Sequence, residues 1–280
     1  MRYLIYMLLT LSLVACEKEI PFEGELNEQK TVLNCYLGAG ESIIYAEVSR
    51  SETVLSDEPF TFVSDAVIKL YDGSNFVGTF NSVGEGKYTL NHEVEAGKSY
   101  SIECTDPLLG VVRASTEVPN YVSFNLENID LVLGEFGGNI KVDVQFNDGA
   151  SEDDYYHLLV YTNVDGFPSV LSFETSEEFL RNTEELSANT FFYFDDCMFD
   201  DNSFNSGVVD ISISTFIMPQ VENKVQLVHV SSDYFNYRKS LKLALNANGN
   251  PFAQPVQIYS NIEGGLGVFA GYAAAEEVLE

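Results

Sequence analysis

Short runs of alternating apolar and polar residues fill the chain from Thr31 to Thr116. Seven runs recur between glycine, aspartate and asparagine residues: TVLNCYL, SIIYAEVSR, DAVIKLYD, NFVGTFN, GKYTL, SYSIECT and VVRASTEV. A period of two places alternate side chains on opposite faces of a strand, and the intervening residues favour turns. Because helical periodicity is missing here, the pattern predicts a β-sandwich over residues 31–120.

Further alternating runs follow this block, namely NIKVDVQFND, DYYHLLVYTN, GVVDISISTF and NKVQLVHVS. They predict a second, β-rich domain over residues 121–280, with a less regular segment at residues 163–206. The tail PVQIYSNIEGGLGVFAGYAAA predicts two closing strands around a glycine turn. The fold class expected from the whole pattern is therefore mainly β.

One helix is predicted, near residues 232–246. Either Ser231 or Ser232 can cap its first turn, and Gly249 with Pro251 stops it. Aromatic and apolar residues recur there at three- and four-residue spacing: Tyr234, Tyr237, Leu241 and Leu245. Such a stripe is typical of a helix face that packs on a core.

The chain begins with an apolar segment that ends at a cysteine. Arg2 precedes about 12 apolar residues, the length of a signal-peptide core, whereas a membrane-spanning helix needs roughly 20. The sequence LVAC at residues 13–16 resembles a bacterial lipobox. This resemblance implies removal of a lipoprotein signal peptide, residues 1–15, and attachment of diacylglycerol and an acyl chain such as palmitate to Cys16. An ordinary signal peptide is the alternative, and we favour lipidation.

An anchor of two or three acyl chains is effectively permanent, so we expect the protein to stay on its membrane. Residues 16–30 would form the lipidated tether. Within it, Glu17, Lys18 and Glu19 resemble the surface-export signal of Bacteroidota lipoproteins, although Ile20 stands where a further acid is favoured. A solvated tether explains the same charges. We expect an outer-membrane protein that faces the cell surface.

Charge narrows the range of partners. The chain from Cys16 onward carries 13 basic and 43 acidic side chains, a net charge of −30. Such a field repels phosphate, which argues against nucleic acid and anionic lipid as ligands. A hydrophobic content of 45% with 20 Phe and 16 Tyr predicts a folded chain with a substantial core.

Three cysteines remain after Cys16, and two of them face the first predicted core. Side-chain alternation places Cys35 on the same face as Leu33 and Leu37, and Cys104 on the same face as Tyr100 and Ile102. A Cys35–Cys104 disulfide and two buried free thiols are both compatible with this placement. The role of Cys197 is open. No cysteine and histidine spacing typical of zinc is present.

The stretch FFYFDDCMFDDNSFN, residues 191–205, is the most unusual in composition. It supplies carboxylates that calcium could use: Asp195, Asp196, Asp200 and Asp201. The central glycine and closing glutamate of a calcium loop are missing, so we favour acidic turn residues and expect no cofactor. Phe192, Tyr193 and Phe199 could form a partner-binding surface, but we favour packing beneath the loop.

Catalysis finds no support in the motifs. His157 and His229 lie in strand patterns without a recognised nucleophile nearby, and the acids of FNDGASEDDYY occur in a turn where carboxylates are usually solvated. We therefore expect a protein that is not an enzyme. A surface hydrolase is the least favoured alternative.

Several short elements together resemble one family, the Bacteroidota lipoproteins catalogued as domain of unknown function 4249. They are Ser64-Asp65-Ala66-Val67, Gly86-Lys87-Tyr88, Gly97-Lys98-Ser99-Tyr100, Tyr155-Tyr156, Asn250-Pro251-Phe252 and, most specifically, SNIEGGLGVFAGY at residues 260–272. The resemblance covers the chain from about Val32 to Ala273. It implies an Ig-like or carboxypeptidase-regulatory-like sandwich over residues 31–120, followed by a second β-rich domain. It brings no catalytic residues.

The same resemblance implies a partner, a TonB-dependent β-barrel transporter of the outer membrane. We expect a non-catalytic accessory or cargo-binding component of such a transporter complex. A surface adhesin or structural lipoprotein is the alternative, although tandem copies and repetitive stalks are missing from the sequence. The cargo and the oligomeric state cannot be read from the residues.

Overall fold

A computed structural model describes residues 28–52, 61–134, 137–149, 153–164, 166–175, 177, 180, 193–194, 197–204, 207–218, 221–247, 254 and 256–279. In chain order these residues form β1 (Thr31–Gly38), β2 (Ile43–Arg50), β3 (Thr61–Phe62), β4 (Val67–Asp72), β5 (Asn75–Thr79), β6 (Asn81–Gly84), β7 (Lys87–Asn91), β8 (Lys98–Asp106), β9 (Gly110–Val118), β10 (Phe124–Leu133), β11 (Gly138–Asp148), β12 (Tyr155–Val164), β13 (Phe167–Leu171), β14 (Phe173–Thr175), β15 (Tyr193–Phe194), β16 (Cys197–Asp200), β17 (Gly207–Ile217), β18 (Glu222–Val230), α1 (Ser232–Ala247) and β19 (Leu266–Val278). The predicted mainly β class is confirmed.

The described strands form three sheets. The large sheet has the strand order β13-β12-β18-β19-β1-β2-β7-β6, with β16 beside β12 and β3 beside β2. A four-stranded sheet, β5-β4-β8-β9, packs on one half of it, and a five-stranded sheet, β10-β11-β17-β14-β15, packs on the other half. Two sandwiches therefore share one continuous sheet.

Alternation fills the core of each sandwich as the sequence predicts. In the first sandwich, Leu33, Cys35 and Leu37 of β1 meet the four-stranded sheet. The inward residues of β8 are buried as well: Tyr100, Ile102 and Cys104. In the second sandwich the inward residues of β11 have no more than 3% exposure: Ile140, Val142, Val144 and Phe146. Burial of these residues contributes the main favourable free energy of folding.

The last strand, β19, belongs to both sandwiches. Its first half runs parallel to β1, from Leu266 beside Val32 to Tyr272 beside Gly38. Its second half pairs antiparallel with β18 and ends at Val278. Phe269 consequently packs in the first core, whereas Ala275 and Leu279 contact the second. The division at residue 120 stays a prediction, and residues beyond it complete the first core.

The tail contains one strand where the sequence predicts two, so the first predicted strand is wrong. Residues 256–262 form no strand, and Glu263 makes only an isolated bridge with Arg113. The cause is local, because the side chain of Asn261 takes up backbone groups of β19. Its Oδ1 accepts a hydrogen bond from the Phe269 amide at 3.0 Å, and its Nδ2 donates to the Phe269 carbonyl at 2.7 Å.

Helix α1 begins where predicted but packs differently. The Ser231 hydroxyl oxygen accepts a hydrogen bond from the Tyr234 amide at 3.3 Å, which is the capping interaction expected before Ser232. Phe235 is its buried residue, packed on Val228 and Val230, while Leu245 is 63% exposed. Of the predicted stripe, Tyr234 packs on this cluster and Leu245 does not, because α1 lies on the outer face of the large sheet and contacts it mainly through its first turns.

The segment predicted to be less regular, residues 163–206, contains the end of β12 and the short strands β13, β14, β15 and β16. A 3-10 turn at Asp201–Ser203 follows β16. In the part of the chain that the structure describes, no helix has the length and apolarity needed to cross a membrane.

Candidate functional site: the apolar end of the second sandwich

Several predicted site residues lie outside the described residues. These are the lipidation residue Cys16, the export residues Glu17, Lys18 and Glu19, the calcium candidates Asp195 and Asp196, and the aromatic Phe192. Tyr193 is described only through its backbone, as part of β15. Their roles stay predictions.

Phe199 is buried in the second core and is not part of a surface, so for this residue the structure has the favoured alternative, packing, and not the partner-binding surface. It lies directly opposite Tyr156 in the β12–β16 pair, and both side chains point into the second core. The two rings stack with their centroids 5.4 Å apart, and Phe146 and Phe204 complete the cluster. Strand pairing leaves Phe199 fully buried.

Asp200 and Asp201, the two calcium candidates that the structure describes, lie where β16 passes into a turn. Asp200 ends β16, and the amide of Asp201 donates a hydrogen bond to the carbonyl of Asp154 at 3.1 Å. Among the described residues, no group of three or more His, Cys, Asp or Glu side chains is placed to hold a metal ion. The calcium site, two of whose residues are not described, stays untested.

The cysteines of the cores are free thiols. Cys35 and Cys104 both lie in the first core, on facing sheets, without a bond between them, and Cys197 lies buried in the second core. Of the two alternatives open from sequence, the structure has the free thiols and not the bridge. Burial raises the pKa of Cys104 to about 12 and raises that of Cys35 further, so neither thiol ionises at neutral pH.

His229 forms a joint between the two sandwiches. Its Nδ1 lies 2.9 Å from the carbonyl oxygen of Asn120, in the connection after β9, and its Nε2 lies 3.2 Å from Asp154 Oδ1. A carbonyl oxygen only accepts, so Nδ1 carries the proton of that bond. Tyr156 stacks on the imidazole at 5.3 Å. Because both ring nitrogens make polar contacts, His229 links the two parts of the chain, and neither nitrogen is available as a general base.

Asp148 is the buried acid of the same joint. The Tyr156 hydroxyl donates a hydrogen bond to its Oδ1 at 2.6 Å. Burial raises the pKa of Asp148 in spite of this bond, and burial together with the Asp148 contact raises the pKa of Tyr156. No sequence signal could reveal this joint, because His229 is 75 residues from Asp154 and 109 residues from Asn120.

Large apolar side chains are exposed together at one end of the second sandwich. The apolar end, as we name this surface, consists of Leu131, Val132 and Leu133 of β10, Phe216 and Met218 at the end of β17, and Val164 and Phe167 at the β12–β13 turn. Their exposures run from 36% to 75%. Strand register places the ends of these strands at the same end of the sandwich. Leu133 at the end of β10 pairs with Gly138 at the start of β11, and Gly138 pairs with Ile217 at the end of β17. β18 begins at Glu222, which pairs with Asn163 near the end of β12.

Strand β10 is an edge strand whose last three residues are apolar. Among the described residues it pairs only with β11, so its other side offers unpaired backbone amides and carbonyls. Every residue from Glu127 to Leu133 is exposed. Natural edge strands are usually protected by charged residues, proline, a β-bulge or a covering element, and β10 has a bulge between Glu127 and Asp130. Beyond the bulge the exposed run Leu131–Leu133 carries no charge or proline, and such an apolar edge is typical of a surface that binds another chain.

A cavity opens beside Phe216 on the outer face of the five-stranded sheet. Its volume is about 660 Å³, and it is lined mainly by Asn139, Leu171, Ser172, Glu174, Ser214 and Phe216. Asn139 lies opposite Phe216 on β11, and Glu174 lies opposite Ser214 on β14. The volume falls in the range of small-ligand sites, but the lining is more polar than is usual for them.

The fold is thus two β-sandwiches on a shared sheet, with an exposed apolar edge on the second sandwich. The sequence profile of one family, described as a domain of unknown function (DUF4249), matches residues 17–277. The chain belongs to the DUF4249 family, as the sequence predicts.

Similarity to other known proteins is slight. No curated protein matches the sequence significantly. Among solved structures, a mutant of Salmonella alpha-2-macroglobulin is similar at a TM-score of 0.26 and 10% identity, over 89% of this chain and 14% of that one. A Bacteroides uniformis protein provisionally described as carbohydrate-binding is similar at a TM-score of 0.22 and 9% identity, over 89% and 98% of the two chains. A DUF3823 family protein from Parabacteroides merdae has a TM-score of 0.20 and 10% identity, over 72% and 91%. At such TM-scores these similarities carry no conclusion about function.

Proposed function

We propose that this protein is an outer-membrane lipoprotein, facing the cell surface, that acts as a non-catalytic accessory or cargo-binding component of a TonB-dependent transporter complex. The observation that carries the proposal is the unpaired apolar edge of β10. Such an edge can extend a sheet with a strand of another protein, through backbone hydrogen bonds and alternate side chains. The strongly negative charge leaves protein, cation or neutral cargo as partners.

The position of the apolar end supports a role at a membrane. Strand β1 begins at Thr31, and its next residue, Val32, pairs with Leu266 at the start of β19. β19 then runs into the second sandwich for 13 residues, which at the rise of a strand spans about 40 Å. Lipid attached to Cys16 would thus hold one end of the molecule, leaving the apolar end free to meet a partner. Tethering raises the effective concentration, so even a modest affinity suffices.

The test of the complex is co-purification. A tagged copy extracted from native membranes in mild detergent should bring down a TonB-dependent barrel in near-stoichiometric amount. Val132→Lys should lower this recovery, because the new charge lies on the β10 edge. Val208→Lys is the matched control, since Val208 has nearly the same exposure, 69% against 65%, and lies on the same sheet but away from the apolar end.

The lipoprotein recovered alone, under conditions that keep other outer-membrane complexes intact, would contradict the proposal and favour the adhesin. Equal recovery with Val132→Lys and Val208→Lys would keep the complex but exclude the β10 edge as its contact.

Lipidation of Cys16 is tested separately. Growth with radiolabelled palmitate should label the wild type, and Cys16→Ala should abolish labelling and release the protein from the membrane. Unchanged membrane retention of Cys16→Ala would refute the anchor.

Surface exposure is tested by protease added to intact cells. The wild type should be cleaved, and replacing Glu17, Lys18 and Glu19 by alanine should reduce cleavage if they act as an export signal. Complete protection of the wild type would assign the protein to the periplasmic side.

A further inference from the structure

An aromatic ring lies at the cavity, packed on one side against backbone. Phe216 is 53% exposed, and its ring lies against the backbone of Gly137, where a side-chain carbon would come within 2.1 Å of Phe216 Cζ. Only glycine at 137 leaves room for this ring position. An exposed aromatic face that is supported from below is preorganised to accept a ligand, since little side-chain freedom is lost on binding.

Hydrogen-bonding groups surround this ring. Asn139 is the direct strand neighbour of Phe216, and the half-buried Glu174 and Ser214 face outward from adjacent strands. Together they offer an amide, which donates and accepts, a carboxylate, which only accepts, and a hydroxyl, which donates and accepts. Such a set matches a ligand with several neighbouring hydroxyl groups.

Charge and polarity limit the class of ligand. Glu174 is the charged residue of the lining, and it is negative, so an anionic ligand would be repelled by it and by the acidic chain as a whole. A wholly apolar ligand would leave Asn139, Ser214 and Glu174 without solvent or partners, which costs free energy. A sugar ring avoids both costs, because its hydroxyl groups bind polar side chains while its C–H face packs on an aromatic ring.

From these observations we infer that the cavity beside Phe216 is a binding site for a neutral oligosaccharide. Phe216 is the stacking platform, and Asn139 and Glu174 bind hydroxyl groups. The inference deepens the proposed function by naming a class of cargo, and it rests on that function only for the step of transport.

Isothermal titration of the full-length protein, purified in mild detergent, tests the site without any transporter. The probes are neutral hexasaccharides of β-1,4-glucan, α-1,4-glucan, β-1,4-xylan and β-1,4-mannan, with hexagalacturonate as the anionic comparison. At least one neutral probe should bind, and Phe216→Ala should weaken its affinity about tenfold, the value of one well-packed aromatic contact. Glu174→Gln, which keeps the shape of the side chain but removes the charge, should weaken it less.

Val208→Ala is the matched control, because Val208 is an exposed residue on the outer face of the same strand and should leave the affinity unchanged. The inference is overturned if no neutral probe binds at about 10 mM, a concentration that detects even a millimolar dissociation constant. It is also overturned if Phe216→Ala binds as well as Val208→Ala, or if hexagalacturonate binds more tightly than every neutral probe. Any of these results leaves the co-purification test of the transporter complex unaffected, so the two proposals fail separately.

Discussion

The ion pair of Arg50 and Asp106 gives the sharpest prediction about the stability of the first sandwich. The Asp106 side chain is fully buried, and the Arg50 guanidinium binds both of its carboxylate oxygens, through Nη2 at 2.7 Å and Nε at 2.9 Å. The Leu108 amide donates a further hydrogen bond at 2.7 Å. Asp106→Ala would leave a guanidinium that is only 15% exposed without its partner. Breaking a buried pair costs about 3–5 kcal/mol, and the residual exposure of Arg50 favours the lower end, about 3 kcal/mol.

A second pair on the same hairpin provides the matched control. Arg113 binds Glu103 through Nε at 3.0 Å and Nη2 at 2.7 Å, but the Arg113 side chain is 60% exposed. Glu103→Ala should therefore cost less than about 1 kcal/mol, because water replaces the lost contact. The assay is urea denaturation of both variants and the wild type, comparing free energies of unfolding. Equal losses for Asp106→Ala and Glu103→Ala would refute the reasoning that burial sets the difference.

The same pair predicts a dependence on pH. Burial alone would raise the pKa of Asp106, but the hydrogen bonds from Arg50 and from the Leu108 and Leu109 amides outweigh it, and the pKa falls below its ordinary value of 3.8. A folded-state pKa below the unfolded one contributes stability above the unfolded pKa. This contribution is lost as the pH falls through the folded pKa. Asp106→Asn should flatten the acid side of the stability curve, and an unchanged curve would contradict the assignment.

Two further predictions concern buried side chains. In the native protein, Cys35, Cys104 and Cys197 should resist alkylation by iodoacetamide and react only in denaturant, because all three are buried. Detection by mass spectrometry of a peptide in which Cys35 and Cys104 are linked would contradict this expectation. Phe199→Ala should lower the free energy of unfolding by about 3–5 kcal/mol through the cavity it leaves, whereas Phe76→Ala, at a 58% exposed site, should have little effect; similar losses in urea denaturation would argue against burial of Phe199.

The sequence predicted those features of the fold that depend only on neighbouring residues. Alternation identified β1, β8, β11 and β17, and the inward faces of β1 and β8, since a period of two depends only on neighbouring residues. Contacts between residues that are far apart in the sequence could not be predicted. Nothing local indicates that His229 joins Asn120 to Asp154. The cavity at Phe216 depends on Gly137, 79 residues earlier, so its residues could not be chosen from sequence either.

The aromatic-rich stretch, residues 191–205, is a second feature whose arrangement the sequence alone does not determine. Its composition raised a partner-binding surface and packing as alternatives, and composition cannot decide which way a strand faces. Pairing of β16 with β12 decides it, because Phe199 lies opposite Tyr156 and shares its inward face. Leu131, Val132 and Leu133 are exposed on β10, and nothing in their sequence indicates that this strand lies at an edge.

The crossing at Gly271 leads to a last prediction, that the two sandwiches unfold together. Here the end of β9 passes over β19, and a side-chain carbon on Gly271 would lie 2.2 Å from the Glu117 carbonyl oxygen and 2.7 Å from Val118 Cα. Backbone cannot move aside as a flexible side chain does, so Gly271→Ala should cost about 3 kcal/mol. Gly78→Ala, where the carbon would meet only the tip of Leu90 at 2.9 Å, is the control and should cost less.

β19 supplies Phe269 to the first core and Ala275 to the second. The loss of stability caused by Gly271→Ala should therefore affect both sandwiches. Hydrogen exchange followed by mass spectrometry should therefore show protection falling by the same factor in β8 and in β11 of Gly271→Ala, through one cooperative opening. A loss confined to either strand would mean that the sandwiches open independently, and that the shared strand joins two units without coupling them.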